Sequence, residues 1–98
     1  MAKRVRWAAS AVADKIKILD YWYRRTGSKT YPRKLNKQLS EIVRLLTQFP
    51  NLGRKIEGRE ERFIIKSYYQ VFYRKSGEFI EILHIWDTRH DPEDSPGK

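Results

Sequence analysis

Nine polar residues in the second half of this 98-residue chain are candidates, by residue type, for phosphate chemistry on RNA. All of them lie in or beside a run of predicted strands, and they are Arg54, Lys55, Arg59, Arg62, Lys66, Tyr73, Arg74, Arg89 and His90. A ribose 2′-hydroxyl cleaves the adjacent phosphodiester when a base removes its proton, cations stabilise the phosphorane charge and an acid protonates the leaving oxygen. Because this reaction needs no metal, a cationic sheet with an aromatic ring for base stacking is a candidate site for it.

Chemistry that depends on a metal or a cofactor has little support in the sequence. There is no cysteine, and the two histidines, His84 and His90, do not stand at a metal-binding spacing. No phosphate-binding loop, dinucleotide fingerprint or Ser–His–Asp arrangement occurs. We therefore predict neither a metal site nor a cofactor, and we interpret His84, which lies in an apolar strand, as a structural side chain.

The positive charge of the chain is concentrated in its first half. The net charge is +9, and residues 1–49 hold 12 Lys and Arg against 3 Asp and Glu, whereas residues 50–98 hold 9 of each kind. Such an excess indicates an anionic partner, which is a nucleic acid, an acidic protein or an anionic membrane. No apolar run reaches the ~20 residues of a membrane span, so we expect no membrane partner. The lack of cysteine fits a cytoplasmic location.

Hydrophobic periodicity predicts two helices, and the segments after them read as three strands. Segment 9–26 has an apolar stripe with helical spacing, formed by Val12, Ile16, Leu19 and Tyr23. Segment 28–49 has a clearer stripe that ends before Pro50, and its members are Leu35, Leu39, Ile42, Val43, Leu46 and Phe49. Segments 61–66, 69–74 and 79–86 are rich in β-branched and aromatic residues, which is typical of strands, and segment 3–7 fits a short first strand.

These elements predict one α+β domain over residues 1–90, followed by a disordered tail at 91–98. The N-terminal strand and the helical hairpin should pack on one face of a small antiparallel sheet, because each helix has one apolar stripe to bury. The other face should stay uncovered. Since Arg62, Ile64 and Lys66 alternate with Phe63 and Ile65, we place Arg62 and Lys66 on that uncovered face.

Four segments, taken in order, resemble one known family. They are S-K-T-Y-P-R-K-L-N-K-Q-L at 28–39, F-P-N-L-G-R at 49–54, Y-Q-V-F-Y-R at 69–74 and I-L-H-I-W-D-T-R-H-D-P at 82–92. Together with the predicted order of elements, they make the chain similar to the RelE/ParE superfamily. Its members are toxins of bacterial type II toxin–antitoxin modules and include plasmid stabilisation proteins. The resemblance covers roughly residues 3–92.

The resemblance implies a RelE-like fold, a cognate antitoxin that often carries an acidic segment, and one of two activities. Members either cleave mRNA on the ribosome or inhibit DNA gyrase. In the nuclease, Arg62, Lys66 and Arg89 would stabilise phosphate charge, while Tyr73 or His90 would stack or transfer a proton. The residues expected to bind nucleic acid beside them are Arg54, Lys55, Arg59 and Arg74.

The sequence departs from the nuclease pattern in two places. Gln70 stands where nuclease members often carry an arginine that contacts the scissile phosphate, and glutamine brings no charge. Asp87 and Thr88 stand near the place where some members have a histidine as general acid. The candidates also fit structural roles: the strand cations fit solvated positions, and Arg89 fits a partner of Asp87 or Asp91.

Three functions are therefore open. The first is a toxin that cleaves mRNA on the ribosome without a metal. The second is a toxin that inhibits DNA gyrase without breaking bonds itself, with residues of the second helix and the last strand as its contact surface. The third is a non-toxic basic module that binds nucleic acid or acts as an adaptor.

Overall fold

The computed structural model describes residues 2–89, which form two helices and one five-stranded sheet. In chain order the elements are β1 (Arg4–Trp7), α1 (Ala9–Thr26), α2 (Thr30–Gln48), β2 (Arg54–Lys55), β3 (Arg62–Lys66), β4 (Tyr69–Ser76) and β5 (Phe79–Asp87). The predicted α+β class and the predicted helices and strands are confirmed. His90 and the predicted tail at 91–98 lie outside the described residues.

Helix α2 buries the stripe that its sequence predicts. Its buried residues include Leu35, Leu39, Ile42, Val43 and Leu46, because positions three and four residues apart share one face of a helix. The two central strands contribute the other side of the core, with Tyr69, Val71, Tyr73, Ile80, Ile82 and Ile85. The core therefore lies between α2 and the β4–β5 pair.

Helix α1 turns a different side to the core from the one that its periodicity predicts. Ala11 and Ile18 are buried and Trp22 packs against the core, whereas Val12 and Ile16 stay exposed. The helix carries two neighbouring apolar stripes, and periodicity alone does not say which of them the sheet covers. Of the predicted stripe, Val12, Ile16 and Tyr23 therefore remain on the surface, whereas Leu19 packs against the core as predicted.

The sheet is mixed, because β1 joins the predicted antiparallel strands as a parallel edge strand and does not pack on their face with the helices. The strand order is β1-β5-β4-β3-β2, and β3, β4 and β5 form the predicted antiparallel meander. β1 pairs with β5 in parallel, with Arg4 opposite Phe79 and Trp7 opposite Ile82. The two-residue strand β2 pairs with β3, although the sequence predicts a loop at the position of β2. The pattern of a short strand does not specify its partner or its direction, which explains both differences.

Helix α1 replaces β1 along the second half of β5. The hydroxyl of Ser10 donates to the carbonyl of Leu83 at 2.7 Å. Oδ2 of Asp14 accepts the N–H of Ile85 at 3.0 Å and lies 3.1 Å from Nδ1 of His84. These side chains satisfy main-chain groups at an edge of β5 that β1 does not reach. His84 therefore has the structural surroundings that its place in an apolar strand predicts.

The helices cover one face of the sheet and leave the other uncovered, as predicted. On the uncovered face, ring centres are 5.9 Å apart for Phe63 and Phe72 and 4.4 Å apart for Phe72 and Trp86. This row of half-buried rings crosses β3, β4 and β5. Within residues 2–89, no helix combines the length and the apolar character that crossing a membrane requires.

Candidate functional site

Arg62 and Lys66 lie on the helix-covered face of the sheet, so their predicted place on the uncovered face is wrong. Arg62 is directly opposite Tyr73, and Lys66 is directly opposite Tyr69. Both tyrosines belong to the buried core, and directly opposed residues of an antiparallel pair share a face. The alternation along β3 is as predicted. The side was misassigned because apolar residues occur on both faces of this strand.

Tyr73 and Arg62 hold the loop that follows α2, residues 49–53, which we call the anchored loop. The hydroxyl of Tyr73 donates to the carbonyl of Pro50 and accepts the N–H of Gly53, both at 2.8 Å. Nη1 of Arg62 donates to the carbonyl of Gly53 at 2.9 Å. A buried phenol and a guanidinium are thus occupied in fixing the main chain of the anchored loop.

The environment of Tyr73 keeps its phenol neutral. Burial raises the pKa of Tyr73, and the hydrogen bond from Gly53 and the charge of Arg62 offset only part of this rise. The phenol therefore carries its proton at neutral pH, which it needs in order to donate to Pro50. In this state and position the hydroxyl is a structural donor.

Gly53 lies against Tyr73 with no room for a side chain. A Cβ at this position would be 2.6 Å from Cε1 and from the hydroxyl oxygen of Tyr73, and 2.7 Å from the carbonyl oxygen of Phe63. Real Cβ atoms essentially never approach other atoms so closely. The glycine in the F-P-N-L-G-R segment is therefore required by close approach of the main chain to the sheet.

Arg89 is enclosed by aromatic rings just after β5. Its guanidinium carbon lies 4.7 Å from the ring centre of Trp22 and 4.1 Å from that of Tyr68. Nη2 donates to the hydroxyl of Tyr69 at 2.9 Å, and Nε donates to Oδ1 of Asp87 at 3.2 Å. The pairing with Asp87 that the sequence permits is therefore present. Through its contacts with Trp22 and Tyr68, Arg89 also links the end of β5 to α1 and to the turn between β3 and β4.

The charges in this cluster reinforce one another. Burial alone would lower the pKa of Arg89, but hydrogen bonds with Asp87 and Tyr31 outweigh that effect and raise it. Burial also raises the pKa of Tyr69, and a hydrogen bond with Tyr31 adds to the rise. Arg89 is therefore a permanent cation, and its side chain is 33% exposed.

The four residues predicted to bind nucleic acid do not form one surface. Arg54 is opposite Phe63 and so shares the uncovered face, whereas Lys55 is opposite Arg62 on the other face. The remaining two are engaged by glutamates, with Arg59 3.9 Å from Glu61 and Arg74 2.7 Å from Glu81. The sheet thus divides the predicted cations between its faces and neutralises part of their charge.

Arg6 is a cation of the uncovered face that the sequence patterns do not identify as a candidate. The guanidinium carbon of Arg6 lies 4.0 Å from the ring centre of Phe79 on the neighbouring strand. Its alternation with Val5 and Trp7, which pack against the core, was the available signal. The parallel partner of β1 was needed to connect Arg6 with this face.

The predicted catalytic residues are spread over the described part of the molecule. Arg62 and Tyr73 meet at the anchored loop, whereas Arg89 contacts Tyr69, the residue opposite Lys66. His90 lies outside the described residues. Within 2–89 no group of three or more His, Cys, Asp or Glu side chains is arranged to hold a metal. The catalytic assignments stay predictions, and the contacts of Arg62, Tyr73 and Arg89 are structural ones.

A groove of about 360 Å³ lies between β1 and the two helices. Its lining residues are Val5, Trp7, Lys15, Ser40, Val43, Arg44 and Thr47. Nζ of Lys15 lies 5.0 Å from the ring centre of Trp7. The lining is therefore apolar and cationic without a carboxylate. Sequence reasoning missed the groove because three separate segments build it.

Two solved structures with a similar fold come from toxin–antitoxin systems. One is the chromosomal ParDE toxin–antitoxin system from P. aeruginosa, which matches with 25% sequence identity and a TM-score of 0.76. The match covers 90% of this chain and 98% of that chain. The toxin–antitoxin complex RelBE2 from Mycobacterium tuberculosis shares the fold at 19% identity and a TM-score of 0.63, over 87% of this chain and 96% of that one. Among curated proteins, no relative matches the chain.

A family model supplies the decisive comparison. The model described as the ParE toxin of the type II toxin–antitoxin system parDE matches residues 5–92. This range includes both helices and all of the sheet except Arg4, the first residue of β1. The chain therefore belongs to the ParE toxins of type II toxin–antitoxin systems, within the RelE/ParE superfamily.

Proposed function

We propose that this toxin arrests growth by binding a protein target, DNA gyrase, and does not cleave RNA. The observation that carries the proposal is the engagement of the residues that would perform cleavage. Tyr73 and Arg62 hold the anchored loop, and Arg89 is held by Asp87 and by aromatic rings. Groups that transfer protons or stabilise charge in a reaction must instead be aimed at the reacting atoms.

The uncovered face supports the same proposal. Gln70, at the position where nuclease relatives often carry an arginine, lies opposite Trp86 and brings no charge. The next cation along the same face of β4 is Arg74, which is 2.7 Å from the carboxylate of Glu81. Developing charge on a phosphate is best stabilised by preorganised cations that no carboxylate neutralises. Along β4, this face therefore offers aromatic surface in place of such a site.

Induced expression, followed by two measurements, tests the proposal. We expect the purified toxin to inhibit DNA supercoiling by gyrase in vitro, and we expect induced cells to show a DNA-damage response. Transcript ends should remain those of uninduced cells during growth arrest. New transcript ends inside codons, with supercoiling unaffected, would instead establish the nuclease function and overturn the proposal.

We further propose that a cognate antitoxin binds the groove beside β1 together with the exposed stripe of α1. Ile16 is 61% exposed, more than any other large apolar side chain of the described chain, and Val12 precedes it by one turn. Lys15 and Arg44 contribute cations to the groove. A segment with apolar and acidic side chains complements this surface in shape and charge. The similarity to a ParDE toxin–antitoxin system supports such a partner.

Replacing Ile16 by glutamate should weaken antitoxin binding by about 10- to 100-fold, because a buried isoleucine contributes about 1.5–3 kcal/mol and the new carboxylate repels an acidic segment. Isothermal titration calorimetry with the purified antitoxin measures the effect. The matched control is Ile65→Glu, since Ile65 is also largely exposed but lies on β3. Equal affinities of the Ile16→Glu variant and the wild type would place the antitoxin elsewhere.

A further inference from the structure

Three exposed apolar side chains cluster where α2 runs into the anchored loop. Leu45 is 41%, Phe49 56% and Leu52 49% exposed. Main-chain hydrogen bonds connect the three residues. The N–H of Phe49 donates to the carbonyl of Leu45, and the N–H of Leu52 donates to the carbonyl of Phe49. We call these three residues the apolar tip. They belong neither to the core nor to the groove proposed for the antitoxin.

The apolar tip is held rigidly although it is exposed. The main chain between Phe49 and Leu52 is fixed at Pro50 by the buried Tyr73, and it is fixed immediately afterwards at Gly53 by Tyr73 and Arg62. Nζ of Lys75 adds a hydrogen bond to the side chain of Asn51 at 2.8 Å. Buried and strand residues thus position side chains that themselves contact solvent. Fixing such side chains in advance lowers the entropic cost of binding.

Cations lie beside the anchored loop that carries the apolar tip. Lys55, which shares a face with Arg62, is exposed just after the loop, while Arg62 and Lys75 contact the loop's atoms. Within residues 2–89 none of these three cations forms an ion pair with a carboxylate. An aromatic and aliphatic centre with a charged rim is the arrangement that concentrates binding energy in protein interfaces. The charge of the rim requires an acidic partner surface.

We propose that the apolar tip is the surface with which the toxin contacts its protein target, through an apolar pocket with an acidic border on that target. This inference rests on the proposed function, because it assumes a protein target. A second copy of this chain is a poor occupant, since each copy has a net charge of +9 and would bring cations against cations. The antitoxin is not the proposed occupant either, because we place its side chains in the groove beside β1.

The test uses full-length toxin with Phe49→Ser and Leu52→Ser combined. Half-inhibition of gyrase supercoiling should need about 100-fold more of this variant than of wild type, because two apolar side chains lose their burial in the target. Growth arrest on induction should be lost as well. Antitoxin affinity and the thermal unfolding midpoint should remain those of the wild type, because both side chains are already exposed in the free protein.

The Ile16→Glu variant provides the reciprocal control, since it should lose antitoxin affinity and retain growth arrest. A variant of the neighbouring cations, Lys55→Glu, should weaken inhibition most at low salt, where charge attraction is least screened. If the double tip variant arrests growth like wild type, the inference is wrong. It is equally wrong if that variant is folded but loses antitoxin affinity, or if it loses only affinity for single-stranded RNA.

The two proposals can fail separately. If the wild-type toxin arrests growth without inhibiting gyrase, the choice of gyrase is wrong. The apolar tip is then judged by growth arrest alone, and loss of arrest in the double variant still supports it as the target contact. If gyrase is inhibited equally by wild type and double variant, the proposed function stands and the tip inference falls.

Discussion

A Gly53→Ala variant should lose about 3 kcal/mol of unfolding free energy, at the upper end of what overpacking costs. The new methyl carbon would lie 2.6 Å from the Tyr73 ring and hydroxyl and 2.7 Å from the carbonyl oxygen of Phe63. The ring cannot withdraw without breaking its hydrogen bond to Pro50 and leaving a buried group unsatisfied. Urea denaturation, with the midpoint and slope fitted together, measures the loss.

Gly27→Ala is the control for this variant. Gly27 ends α1 with a φ of 69°, and nothing lies within 4 Å of an added Cβ, so only backbone strain of about 1 kcal/mol is expected. The difference between the two variants isolates the clash with the sheet. Equal losses would mean that the anchored loop moves away from Tyr73 easily, and the rigid display of the apolar tip would then be disproved.

Arg89→Ala should lower the unfolding free energy by about 2 kcal/mol. Removing one partner of a fully buried pair costs about 3–5 kcal/mol, and the partial exposure of Arg89 reduces this figure. The variant leaves the buried Asp87 side chain without its guanidinium partner and removes the cation between Trp22 and Tyr68. Thermal and urea unfolding of the purified variant provide the measurement.

The exposed ion pair of α1 supplies the comparison for Arg89. Arg24 lies 3.0 Å from Asp20, but the two side chains are 79% and 51% exposed, so Arg24→Ala should cost less than about 0.5 kcal/mol. An Arg89→Ala protein with wild-type stability and no growth arrest would contradict the structural role. It would show that Arg89 acts on the target or on RNA instead.

The helices illustrate what the sequence could and could not predict. Helix α2 has one apolar stripe, so its buried face could be read from spacing alone. Helix α1 has two, and the one around Val12 and Ile16 is the more exposed, whereas Ile18 and Trp22 of the other lie in or against the core. Ala11 lies in the core because a small side chain allows close packing against β5, and hydrophobicity does not report that requirement.

The site was harder to predict than the fold for a similar reason. Strand alternation predicts which residues of β3 share a face of the sheet. It does not predict which face the helices cover, because β3 has apolar residues on both sides, and Arg62 and Lys66 lie on the covered face. The roles of Tyr73 and Gly53 depend on a contact between segments 20 residues apart, which no local pattern encodes. The F-P-N-L-G-R segment indicates a family, whereas its role in positioning the anchored loop depends on the three-dimensional contacts of Gly53 with Tyr73 and Arg62.

The parallel pairing of β1 with β5 has a consequence for synthesis of the toxin. Within the described residues, β1 pairs with residues 79–82, so this pairing cannot form before those residues have been synthesised. A nascent chain that has reached Glu78 therefore carries two helices with part of their apolar surface still bare. Premature termination at that point would yield a fragment that lacks β5 and exposes apolar surface to proteases.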